Sequence, residues 1–344
     1  MKNILDNFKL ANASGITVIL VALFVSITLF LAGSDKVEAA VEASFLHKLS
    51  NFSGPIPYNW VNISVDKETN EIYVVDNKAR DVAVFNEQGM EIYRFADDGL
   101  IGTAVDVTFT GDGNILVLSR AGSSRQIIRC NFRGEPIAEL VLKDFPPEFA
   151  NFNPDRLIYR QGSLYLLAAR SLRIVVTDTQ GVFLRGYDLC SLLGIAEDQK
   201  DGIELGGFSV DPGGNMLFTI PVKFIAYRLS PDGKLIGFGR AGGAPGHFNN
   251  VAGIVADDQG YYYVADRLKS AIIVFDNNLN FQLEFGYRGL RPGNLFGPKN
   301  LALDDQGRLY VSQFGSKGVS VFKVIHKPLN SKNLKEVMEE TTGR

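Results

Sequence analysis

Residues 251–286 read VAGIVADDQGYYYVADRLKSAIIVFDNNLNFQLEFG. An apolar stretch from Val251 ends in the turn Asp257-Asp258-Gln259-Gly260. A second apolar stretch ends at Asp266, a basic loop follows at Arg267-Leu268-Lys269, and a third runs Ile272-Ile273-Val274-Phe275. After an Asn-rich turn, residues 281–285 alternate apolar and polar. Gly, Asp and Asn clusters at this spacing punctuate short antiparallel strands. Residues 60–95, WVNISVDKETNEIYVVDNKARDVAVFNEQGMEIYRF, repeat the same order of four strands and three turns.

Weaker copies extend the pattern outward. The residues that open the first turn of each copy are Asp66, Thr110, Tyr159, Asp211, Asp257 and Asp304, with gaps of 44, 49, 52, 46 and 47 residues. Four short strands in a period in the forties are the signature of propeller blades. The second and third strands are continuous apolar runs, as strands buried on both faces must be, and the alternating fourth suits an outer position with one wet face. The sixth copy lacks its outer strand, while residues 44–49 (SFLHKL) form a spare one ahead of the first copy. The spare strand is expected to close the ring by completing blade six, which removes two exposed edges. Residues 189–199 read as a helical insertion and residues 326–344 as a polar tail.

The linkers carry a resemblance. Phe238-Gly239-Arg240-Ala241-Gly242-Gly243-Ala244-Pro245-Gly246-His247-Phe248, and then Phe285-Gly286 through Pro292-Gly293-Asn294-Leu295-Phe296-Gly297-Pro298, resemble the linkers of NHL repeats. The likeness spans roughly residues 44–324 and is specific in blades one, five and six. The positions matching Asp76 and Asp266 are Ser119, Ala168, Ile220 and Gln313 in the other blades, so a uniform aspartate ring is absent. The resemblance implies an all-β, six-bladed β-propeller. Similar propellers include protein- or RNA-binding modules, sensor domains outside bacterial membranes and metal-dependent lyases or lactonases, so activity must come from the site.

Ahead of the ring, residues 15–32 (GITVILVALFVSITLFLA) are uncharged and apolar, with Lys2 and Lys9 before them. This is about the length of one transmembrane helix. The expected organisation is a cytoplasmic leader (1–14), a signal-anchor or signal peptide (15–33), a linker (34–43), the propeller (44–325) and the tail (326–344). The flanking lysines favour a cytoplasmic N-terminus, placing the propeller in the periplasm or outside the cell, and secreted if the segment is cleaved. Cleaved and anchored forms both fit. With a net charge of −3, export and only 2 cysteines, neither a nucleic-acid binder nor a disulfide scaffold is expected.

Six repeats place their basic loops, between second and third strands, at one end of the ring. These carry Arg80, Arg120, Arg125, Arg170, Arg173, Lys223, Arg267 and Lys269, while the first turns are acidic. A positively lined end would attract a protein or an anionic glycan or other polymer. The competing reading is that these cations pair with aspartates of their own or the next blade. Tyr58 and Trp60 open blade one near the basic end, as stacking residues or as seam packing, and His247 is the one histidine in an interblade linker. Three histidines do not make a catalytic zinc site or a Ser-His-Asp arrangement. No catalytic residue and no cofactor is expected. A divalent cation in the central channel, with Asp155, Asn249, Asn250 and Asn300 as oxygen donors, is the alternative that would accompany a lactonase- or lyase-like enzyme. The glycines of residues 237–246 precede a strand, not a helix, and so make no phosphate cradle.

Overall fold

The computed structural model describes residues 39–328 except 77, 97, 98, 123, 197 and 198. Blade one is Asn62–Asp66, Glu71–Asp76, Asp81–Phe85 and Glu91–Phe95. Blade two is Thr103–Phe109, Ile115–Ala121, Ser124–Cys130 and Pro136–Glu139. Blade three is Arg156–Arg160, Ser163–Ala168, Arg173–Asp178 and Phe183–Asp188. Blade four is Phe208–Val210, Met216–Ile220, Ile225–Leu229 and Leu235–Phe238. Blade five is Val251–Ala256, Tyr262–Asp266, Ala271–Phe275 and Phe281–Phe285. Blade six takes Leu301–Leu303, Arg308–Ser312 and Val319–Pro328, and its fourth strand is Ala39–Lys48. The expected closure is therefore present, with a strand that starts five residues earlier than the sequence reading placed it, at Ala39 in place of Ser44.

All strands within a blade are antiparallel neighbours. The loops between second and third strands therefore share one face, the loop face, with the linkers that lead into each first strand. The remaining turns lie on the opposite, turn face.

The apolar core is divided among six seams. Ile72 and Val74 pack with Tyr310 and Val321 between blades six and one. Their alternates Tyr73 and Val75 pack with Val107 and Val117 between blades one and two. The same alternation fills the other four seams. Each middle strand thus feeds two seams, which is why its sequence is continuously apolar.

Turn chemistry differs among blades. The first-turn aspartates accept backbone N–H groups two residues on: Glu68 to Asp66 at 3.0 Å, Gln259 to Asp257 at 2.9 Å, Gln306 to Asp304 at 2.9 Å. The acidic character of the turn face thus comes partly from Asx turns. Blade three departs because Arg160 pairs directly with Ser163, leaving Gln161 (φ 48°) and Gly162 (φ 78°) as a two-residue hairpin turn with both φ positive. In the linker to blade five, Gly239 (φ 78°) lies so close to buried Phe248 that an added Cβ would stand 2.0 Å from its ring. The glycines there serve packing.

Two expectations are corrected. Of the insertion expected over 189–199, Leu189–Leu193 is α-helical, with the Asp188 side chain accepting Ser191 N–H, and Gly194 ends that helix in the left-handed region. The fourth strand of blade five does not keep Glu284 in water: the side chain is 6% exposed and paired with Lys269. The apolar run 15–32 and the tail beyond 328 lie outside the described residues. Among the described residues, no helix is long and apolar enough to cross a membrane. Cys130 and Cys190 are buried, and no disulfide joins them.

His47, in the closing strand, lies against Gly89 of blade one. Burial, then the positive charge of Arg308, hold its imidazole below its usual value of 6.5. The folded state thus resists a proton that the unfolded chain accepts, and stability falls as pH drops below 6.5, levelling off once the lower folded-state value is passed. Thermal melts from pH 8 to pH 5 are expected to show this loss and, with His47→Gln, a smaller one; an unchanged pH profile in the variant would refute the assignment.

Candidate functional site at the loop face

The linker into blade one carries Trp60 with φ 52°, a left-handed conformation costly for a bulky residue. Two hydrogen bonds hold it: Trp60 N–H to the Gln313 carbonyl at 3.0 Å, and indole Nε1–H to the Gly297 carbonyl at 2.8 Å. The ring is thereby fixed between blades five, six and one. The Arg267 guanidinium stands 4.3 Å from its centroid, and the Lys299 Nζ 5.3 Å. On the same ring, Phe314 packs at 4.7 Å and continues to Phe296 at 5.9 Å, over which Arg288 sits at 4.8 Å.

Neither Arg267 nor Lys299 forms an ion pair with a carboxylate among the described residues. Both are half-buried. Burial, then Arg267, then Arg156 press the Lys299 ammonium below its usual value, with exposed Glu204 opposing them. Arg156 belongs to blade three, on the far side of the ring. Arg156 itself is held by Asp106, whose buried carboxylate accepts Nε at 2.8 Å and Leu157 N–H at 3.1 Å. A stacked guanidinium leaves its edge donors free for a carboxylate or phosphate, and a neighbouring ammonium adds charge without geometric demand.

The structure brings together only two of the residues singled out from sequence, Trp60 and Arg267. Arg80, Arg120 and Arg170 are exposed on separate blades, and Lys223 ends the short turn Pro221–Lys223. Arg125 bonds Asp155 at 3.0 Å, and Arg173 stands 3.6 Å from Asp188 and over the Phe149 ring. Lys269 is committed to Glu284 at 3.0 Å and to the Ala244 carbonyl at 2.9 Å. Tyr58 is buried in the seam of blades six and one against Phe85. His247 accepts a hydrogen bond from Arg240 Nε at 2.7 Å within its own linker. Lys299, two residues before the sixth inner strand, is not among the residues singled out from sequence; its signal is a lone lysine in a linker that offers no acid.

The oxygen donors considered for a cation are dispersed. Asp155 holds Arg125 and Ala169 N–H, the backbones of Asn249 and Asn250 bind Asp266, and Asn300 donates to the Val61 carbonyl and Asn62. Among the described residues, no three His, Cys, Asp or Glu side chains stand close enough to hold a metal ion. On the turn-face side, the channel is a cavity of about 370 Å³ whose lining includes Ile63, Val65, Ile158, Ser209 and Leu301.

No family model, that of the NHL repeat included, matches the chain, and no curated protein matches it. Solved structures do. A protein of unknown function from Bacteroides thetaiotaomicron VPI-5482 is 13% identical with a TM-score of 0.60, covering 84% of this chain and 77% of that one. A streptogramin B lyase is 12% identical with a TM-score of 0.58, over 85% of this chain and all of the other. A putative gluconolactonase is 13% identical with a TM-score of 0.55, over 85% and 94%. At such identities the likeness establishes a β-propeller fold, and the fold alone.

Proposed function

We propose that this chain is an extracytoplasmic, membrane-tethered propeller of divergent NHL-like blades, whose work is to bind an acidic protein segment or an anionic polymer at its loop face. The observation that carries the reading is the pair of cations, Arg267 and Lys299, sharing the Trp60 ring without a carboxylate partner among the described residues. Half-buried positive charge that forms no ion pair among the described residues and is held in place by a strained tryptophan favours an anion there. The apolar run at 15–32 supplies the tether.

A lyase-like reading has the fold likeness in its favour and, among the described residues, no cluster of His, Cys, Asp or Glu side chains that could hold a metal ion. Calorimetry on the detergent-solubilised full chain with a polyglutamate peptide and an oligouronate tests the proposal. Saturable binding that weakens steeply between about 50 and 300 mM salt is expected for an electrostatic site. No heat with either probe at low salt would refute it.

A further inference from the structure

Beside the mouth lies a groove of about 460 Å³ between the closing strand and the linker that joins blades five and six. Phe45, Leu290 and Phe296 give it an apolar lining, and Lys48, Arg291 and Lys317 give it charge. No carboxylate lines it among the described residues. Leu290, at its lip, is 98% exposed, an unusual position for a large aliphatic side chain flanked by Arg288 and Arg291. Groove and mouth share a wall: Phe296 lines the groove and packs through Phe314 against Trp60, over which Arg267 sits.

We infer that groove and mouth together bind one extended acidic polypeptide segment, an apolar side chain of which packs against Leu290, Phe45 and Phe296 while its carboxylates meet Arg291, Lys317 and Arg267. This rests on the anion-binding reading of the mouth and narrows its partner to protein. A glycan polyanion has no aliphatic or aromatic side chain to fill the groove, and a flat bilayer does not enter a concave site. A peptide alternating acids with Leu or Phe satisfies both the apolar lining and the uncompensated positive charge.

The test compares two synthetic peptides of equal length and equal negative charge, one of Glu and Ser, the other of Glu with Leu and Phe in place of Ser. Binding to the detergent-solubilised full chain is read by fluorescence anisotropy of a peptide label. The apolar-bearing peptide is expected to bind at least tenfold tighter. Leu290→Ser, at a position too exposed to matter for folding, removes most of that difference and leaves the Glu-Ser affinity as it was; Arg291→Glu weakens both peptides. Equal affinity of the two peptides for the wild type, or a difference that survives Leu290→Ser, overturns the groove assignment while the mouth stands. Failure of both peptides to bind overturns the mouth as well.

Discussion

Replacing Asp266 by Ala is expected to lower the stability of the propeller by roughly 3–6 kcal/mol, from the loss of charge-assisted bonds to donors left without partners. The carboxylate is fully buried at the end of the second strand of blade five. One oxygen accepts the backbone N–H groups of Asn249 and Asn250 at 2.6 and 3.0 Å, and the other those of Leu268 and Lys269 at 3.1 and 2.9 Å. It therefore ties the incoming linker of blade five to the loop that presents Arg267. Asn at this position turns an amide NH₂ toward two of those donors, so Asp266→Asn is expected to recover less than half the loss. Urea unfolding followed by far-ultraviolet circular dichroism measures both. A loss below about 1 kcal/mol for Ala, the scale of one ordinary hydrogen bond, contradicts the pinning role.

The second large effect belongs to the mouth. Arg267→Glu is expected to weaken polyglutamate binding at least 100-fold, about 3 kcal/mol, because it removes the guanidinium fork and reverses the charge beside Lys299. Lys299→Met keeps the bulk of the side chain and removes the charge, for a loss of about tenfold. Arg170→Glu serves as the control: exposed on blade three and outside the cluster, it is expected to change affinity by less than about threefold, as screened surface charges do. Similar losses at Arg170 and Arg267 would show a diffuse basic face and no defined site. The stack of Arg267 on Trp60 contributes only about 1 kcal/mol, so Arg267→Glu leaves the fold intact.

The fold was legible because its repeating unit is. Blade five states the whole pattern in one stretch of chain, and the missing outer strand of blade six has its counterpart ahead of blade one. The weaker blades were hard to align because they do the work of Asp266 with other groups. In blade three the Asp155 side chain accepts Ala169 N–H at 3.0 Å; in blade four Thr219 Oγ1 accepts Gly207 N–H at 2.9 Å; in blade six Gln313 accepts Phe296 N–H at 2.9 Å and donates to Ser320. A backbone that must be satisfied tolerates any side chain that reaches it.

The site was legible only in part. Face assignment follows from strand alternation, so the basic loops were placed together correctly, yet charge pairing is a three-dimensional property. Lys269 lies next but one to Arg267 in sequence, and Glu284 takes the first while no carboxylate among the described residues takes the second. Trp60 and Arg267 are separated by four blades in the chain, and only ring closure makes blades five, six and one neighbours at one mouth. Lys299 emerged from the same closure.

Trp60 is the chain's 1 tryptophan, so intrinsic emission reports the proposed site and no other. The most direct measurement is therefore a titration of the full chain with polyglutamate at low ionic strength, following tryptophan fluorescence. An anion drawing Arg267 and Lys299 from their places over the indole is expected to produce a saturable change in intensity, reversed by salt and absent in Arg267→Glu. If polyglutamate binds by calorimetry while the emission of Trp60 stays constant, the anion sits elsewhere and the central claim is wrong.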